Sequence, residues 1–126
     1  MKEKYINLIL PMPISINKAY CNSKKGRTKS DEYEGWEKLA FVELKKQETY
    51  TIKWDEWLFV EYEFNFSLYT EDWEKIIKDV ANYEKVLSDF LANYIVWFKD
   101  HKIKTILLKK VDNRSSFVKV KIKETV

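Results

Sequence analysis

Two short segments carry the residue types that could do chemistry. In "KDVANYEKVLSDF", Lys78 to Phe90, Asp79 stands at the mouth of a helical pattern, and Lys85 and Asp89 follow along one side. Ala81 occupies the place where a second carboxylate would be expected. A little further on, "FKDHKI" sets Asp100 beside His101, the only histidine of the chain. Carboxylates and an imidazole can hold a divalent cation, which activates water and stabilises the charge building on phosphate oxygens during phosphodiester hydrolysis. The two segments together look like a metal-dependent nuclease centre that is partly dismantled. The methyl of Ala81 binds nothing, and a neutral imidazole at His101 suits Mn²⁺ or Zn²⁺ better than Mg²⁺, which takes hard oxygen ligands. Asp100, Asp89 or Glu84 would have to lend an oxygen in its place. Taken alone, Asp79 is also what a helix cap looks like, and Lys85 with Asp89 is an i,i+4 surface pair worth about 0.3 kcal/mol.

The elements that must position these residues follow from periodicity. "YINLILPMP" alternates and then stops at Pro11 and Pro13, which predicts a strand over Tyr5 to Leu10 running into an extended turn. "CNSKKGRTKS" reads as a polar, basic loop; Ser30 then supplies an N-cap ahead of Asp31 and Glu32. A helix from Asp31 to Gln47 is predicted, its packed face being Tyr33, Trp36, Leu39, Ala40 and Leu44. "EWLFVEYEFNFSL" places Leu58, Val60, Tyr62, Phe64, Phe66 and Leu68 at period two, the clearest strand in the chain.

The acidic "YTEDWEKIIK" is either an extra helical turn or a lid-like loop. A second helix opens at Asp79 and buries Val80, Tyr83, Val86 or Leu87, Phe90, Leu91 and Tyr94, leaving Asn82, Lys85 and Asp89 on a polar stripe. "KIKTILLKKV" and "SFVKVKIKETV" then read as two antiparallel strands joined by "DNRSS". The order β-α-β-α-β-β implies an α+β fold, a small mixed sheet with two helices, formed as a single domain over residues 1–126.

Composition limits the function classes. With 126 residues and 45% hydrophobic content there is one core and no room for separate catalytic and binding modules. Two glycines leave no Gly-rich phosphate loop. The lone cysteine, Cys21, cannot form an internal disulfide, and nothing orients it toward His101 as a nucleophile with its base. No apolar run marks a membrane span, so the cytoplasm is the expected compartment.

The net charge of +3 hides a pattern of +4 over residues 1–46, −7 over 47–100 and +6 over 101–126. Basic ends therefore flank an acidic middle. Lys24, Lys25, Arg27 and Lys29, and Lys102, Lys104, Lys109, Lys110 and Arg114, could neutralise phosphates. The same clusters also fit ordinary solvated faces.

"LPMPISINKAYCNSKKGRTKS", "KDVANYEKVLSDFL" and "FKDHKI" together resemble, in order and spacing, the RusA family of Holliday junction resolvases, small dimeric endonucleases of phages and prophages. The resemblance spans almost the whole chain. In that family the helix opens with an Asp-x-Asp-Asn-x-x-Lys-x-x-x-Asp pattern, and an Asp-Asp pair precedes the next strand. Asp79 matches the first aspartate, Asn82 the asparagine, Lys85 the lysine, Asp89 the later aspartate and Asp100 the first of the pair. Ala81 and His101 depart from it, leaving one of three metal-site acids.

The resemblance implies catalytic roles for Asp79, Lys85, Asp100 and His101, with Asp79, Asp100 and His101 as ligands of Mg²⁺ or Mn²⁺ if the chain is active. It implies a four-way DNA junction as ligand, contacted by Lys18, Tyr20, Lys24, Lys25, Arg27, Lys29, Asn82 and Lys109. It also implies a homodimer in a bacterial host cell. Three readings follow. Cleavage is lost or strongly reduced while branched-DNA binding persists; or the enzyme is active, through a His-containing site or because Ala81 is an engineered change; or the fold binds and inhibits a host protein such as a defence nuclease. In the last case the surface would be the acidic stretch from Glu61 to Asp79, with Trp73 exposed.

Overall fold

The computed structural model describes residues 5–23, 26–47, 57–76 and 78–125. The chain order is β1 (Tyr5–Pro11), α1 (Ile16–Ala19), β2 (Tyr20–Ser23), β3 (Gly26–Lys29), α2 (Asp31–Lys46), β4 (Trp57–Phe66), α3 (Ala81–Tyr94), a 3₁₀ turn at Asp100–Lys102, β5 (Ile103–Asp112) and β6 (Phe117–Thr125). The α+β expectation holds, with a mixed sheet ordered β1-β6-β4-β5. A four-residue α1 and the two-stranded sheet β2-β3 add to the expected elements.

Alternation decides the main sheet. Ile6, Leu8 and Leu10 of β1, Leu58 to Phe66 at every second residue of β4, and Val118, Val120 and Ile122 of β6 are all buried on the helix side. The intervening Glu61, Glu63, Lys119 and Lys121 line a shallow groove on the other face. β4 and β5 are parallel, so α3 between them has to return the chain across the sheet. It buries Val86, Leu87, Phe90 and Leu91 in doing so.

Several expectations are corrected. β5 and β6 do not form a hairpin: β4 lies between them, antiparallel to β6. The "DNRSS" connection bridges the end of β4 instead. Asn113 donates its N–H to the Phe66 carbonyl (3.0 Å), and the Leu68 N–H reaches Asp112 Oδ1 (2.9 Å). The basic loop is a strand pair whose turn places Gly26 at φ 101°, a left-handed conformation that favours glycine. Leu39 of α2 is 63% exposed, because the sheet covers only the stripe of Tyr33, Trp36, Ala40 and Leu44. Tyr94 is likewise partly exposed.

The acidic stretch before α3 is a loop and not an extra turn of helix: its described residues make a tight excursion closed by a Tyr69–Lys75 bridge. Thr70 N–H donates to the Glu74 carbonyl (2.8 Å), and Trp73 N–H to the Thr70 carbonyl (3.0 Å).

Gln47 finishes one edge of the sheet. Its Nε2 donates to the Ile9 carbonyl (2.7 Å) and its Oε1 accepts from the Ile9 N–H (2.6 Å), so the amide side chain imitates a neighbouring strand. Gln47→Ala is expected to cost about 1 kcal/mol in a urea melt, since the freed groups reach water.

Candidate nucleic-acid interface

The N-terminus of α3 is built by its own sequence. Asp79 Oδ1 accepts from the Ala81 N–H (3.0 Å), and the Asp79 carbonyl accepts from the Asn82 N–H (3.0 Å). Asp79 therefore satisfies helix donors that would otherwise be unpaired, as a capping acid does. Asp79 and Ala81 are exposed, and Asn82 is half-buried. One turn on, Lys85 Nζ meets Asp89 Oδ1 at 3.4 Å, with the lysine side chain 61% exposed. At that exposure the pair is loose and adds little to stability.

Behind this stripe lies a polar chain that periodicity did not reveal. Ser88 Oγ donates to Glu84 Oε1 at 2.7 Å, and Tyr62 OH lies 2.8 Å from Ser88 Oγ. The single serine proton goes to the carboxylate, so the tyrosine is the donor to Ser88. Tyr62 and Ser88 are both buried. Burial first, then the negative charges of Glu84, Asp100 and Asp89, push the Tyr62 phenol well above its ordinary range.

A pH dependence follows. Tyrosines of the unfolded chain ionise near about pH 10, where the buried phenol stays neutral. The stabilisation is whole below that pH and falls above it, by up to about 1.4 kcal/mol per pH unit. Burial pushes Tyr33 in the same direction. Urea melts across the alkaline range should show the decline, and Tyr62→Phe should flatten it in part.

The basic hairpin stands beside α3. α1 packs against α3 and leads directly into β2. The Arg27 guanidinium lies over the Tyr20 ring at 4.9 Å, and Lys29 Nζ over the Tyr33 ring at 5.1 Å. Tyr20 meets Tyr33 edge-on at 5.6 Å. Lys29 also bonds Glu37 Oε2 at 3.0 Å, and that hydrogen bond is the first cause holding the lysine above its ordinary range. Asp89 is near enough to Tyr33 for its charge to act on the phenol, which ties the hairpin side of the molecule to the polar stripe of α3.

The expected DNA contacts divide accordingly. Lys18, Tyr20, Arg27 and Lys29 are gathered on α1 and the hairpin, with Asn82 and Lys85 on the neighbouring helix. Lys24 and Lys25 lie outside the described residues. Lys109 belongs elsewhere, on β5, paired at 3.2 Å with Glu61 of β4. Lys102, one of the basic cluster at the C-terminal end, is buried.

Asp100 and His101 open the 3₁₀ turn ahead of β5, both exposed. Among the described residues no three His, Cys, Asp or Glu side chains come together as a metal site. Asp79, Asp100 and His101 therefore do not form a three-ligand group within one chain.

A model of the endodeoxyribonuclease RusA family matches residues 11–123. The chain belongs to the RusA family. Holliday junction resolvase-like nucleases of this family bind branched DNA, act as dimers and are generally dependent on a divalent metal. Among curated proteins no relative matches the chain. No helix among the described residues is long and apolar enough to cross a membrane.

Proposed function

We propose that this RusA-family chain is a cytoplasmic, dimeric binder of branched DNA in which phosphodiester cleavage is lost or strongly reduced. The observation that supports it most is the mouth of α3. Where the family pattern has a second acid there is the exposed methyl of Ala81, and Asp79 is engaged with the backbone N–H of that same residue. α1 and the basic hairpin that follows it offer Lys18, Arg27 and Lys29 to phosphate, with the Tyr20 ring among them. Discrimination of a junction from a duplex comes from shape rather than base edges, because the sequence carries no basic recognition-helix pattern.

The test is a labelled, immobile four-way junction with Mg²⁺ or Mn²⁺. Binding without paired nicks is expected, with affinity falling steeply as salt rises and the slope reduced by about one for each of Arg27→Ala and Lys29→Ala. Paired symmetrical nicks would overturn the loss of cleavage. Binding that ignores salt would remove the DNA reading.

One observation favours a second reading, that of a protein-binding module. Trp73 is 81% exposed at the tip of an acidic turn that includes Glu71, Asp72 and Glu74, and holds φ 62°, a conformation rare for a bulky residue. It lies 6.1 Å from the Tyr69 ring, forming an aromatic pair suited to anchoring a basic protein surface. Junction binding that survives Trp73→Ala unchanged would count against a shared surface.

A further inference from the structure

The face of the main sheet turned away from the helices carries aromatic rings among lysines at one end. On β4, Trp57 and Phe59 alternate with the buried Leu58 and Val60; on β1, Tyr5 precedes the buried Ile6. Lys123 of β6 stands between two of these rings, opposite Phe59 in one register and opposite Tyr5 in the other. Its Nζ lies 5.1 Å from the Phe59 ring centre and 5.5 Å from that of Tyr5, and Lys121 Nζ lies 4.9 Å from the Tyr5 ring. Trp57 is 51% exposed although β4 is an interior strand of the sheet. Solvent-facing strand positions are ordinarily polar, so three aromatics on one patch fit a ligand with flat apolar faces.

The charges show what else that ligand carries. The face holds four lysines, Lys109, Lys119, Lys121 and Lys123, against two glutamates, Glu61 and Glu63. Glu61 is met by Lys109 at 3.2 Å and Glu63 stands opposite Lys119, so the acids are answered further along β4. The aromatic end keeps Lys121 and Lys123 on long stems, which can leave the rings for a phosphate while a base takes the ring face.

We propose that this end of the open face binds unpaired DNA, with bases stacked on Trp57, Phe59 and Tyr5 and phosphates held by Lys121 and Lys123. A duplex hides its base faces inside the stack, so only an unpaired strand can use the rings. Strand geometry sets Trp57 and Phe59 about 7 Å apart along β4, and Phe59 and Tyr5 about 10 Å apart across β6, room for successive splayed bases. DNA rather than RNA is the occupant because the family is one of endodeoxyribonucleases. α3 lies on the opposite side of the sheet, with α1 and the basic hairpin attached to it, so the platform stands apart from the proposed junction site.

Fluorescence anisotropy of the whole chain with a labelled single-stranded dT oligonucleotide, and with a strand of the same length made of abasic sites, tests it. The parent chain is expected to bind the dT strand about fivefold or more tightly than the abasic one. Trp57→Ala should weaken dT binding by about fivefold or more, while Trp57→Phe keeps most of the affinity. A fully paired immobile junction should bind Trp57→Ala as it binds the parent. Equal binding of the abasic strand, a readout that needs no variant to fold, would overturn the platform, as would dT binding unchanged in Trp57→Ala. An equal loss of junction affinity in Trp57→Ala would merge the two sites and overturn a separate one. Tighter binding of the matching uridine RNA would overturn DNA as the occupant. Base-dependent single-strand binding without junction binding would strike the junction reading alone, and junction binding without it would strike the platform alone.

Discussion

Replacing Phe90 by alanine is expected to lower the unfolding free energy by about 3–5 kcal/mol. Phe90 is fully buried on α3, edge-on to Trp36 of α2 at 5.1 Å and 4.8 Å from Tyr94. Each aromatic pair adds about 0.5–1.5 kcal/mol beyond the area it buries. Trp36 is fixed in turn by its Nε1, which donates to the Pro11 carbonyl at 3.0 Å, and it meets Tyr33, which meets Tyr20. The row from Tyr20 to Phe90 thus ties the basic hairpin to α3 through α2. The cavity left by Phe90→Ala opens where those elements join. Urea denaturation measures the loss, with Leu39→Ala on the exposed face of α2 as the control, expected within about 0.5 kcal/mol of the parent. A loss near that of the control would mean that the row does not hold α3 in place.

Much of this architecture is legible in the residue pattern, and the failures have physical causes. Period two in "LFVEYEFNF" and "FVKVKIK" reflects sheet strands with one face covered, and period 3.6 after Ser30 and Asp79 reflects helices with one face packed. What the pattern cannot carry is which strand lies beside which. The β5 and β6 segments are neighbours in sequence with turn residues between them, yet β4 intervenes, a choice made by long-range pairing. The placement of Lys109 has the same cause: strand order, not its neighbours in sequence, sets it on β5 against Glu61.

The β2-β3 hairpin escaped notice because its described side chains offer no apolar alternation; Gly26 is its main local mark. At the site, the spacing of Asp79, Lys85 and Asp89 on one helix was readable, because a helix fixes those offsets. The buried chain from Tyr62 through Ser88 to Glu84 was not, since it joins a strand to a helix 26 residues away. The one available hint was a serine on the apolar face of α3, between Leu87 and Leu91.

On the proposed loss of cleavage, Ala81→Asp combined with His101→Asp is expected to yield a chain that makes paired nicks in a four-way junction. Position 81 is exposed on the first residue of α3, and its N–H is already directed at Asp79 Oδ1. A carboxylate there would stand beside Asp79 at the same helix mouth, where the positive end of the helix dipole favours negative charge. Both positions are exposed and neither takes part in the core, so each substitution should stay within about 0.5 kcal/mol of the parent in stability. A gain in cleavage is then a change in chemistry rather than in folding.

The single variants apportion it. If Ala81→Asp alone nicks as well as the pair, the missing acid was at the helix mouth and Asp100 already serves on the strand side. If the pair is required, His101 is the second defect. If neither restores cleavage while the junction still binds, the decay extends beyond these two positions, and what the family fold retains in this chain is recognition of the DNA.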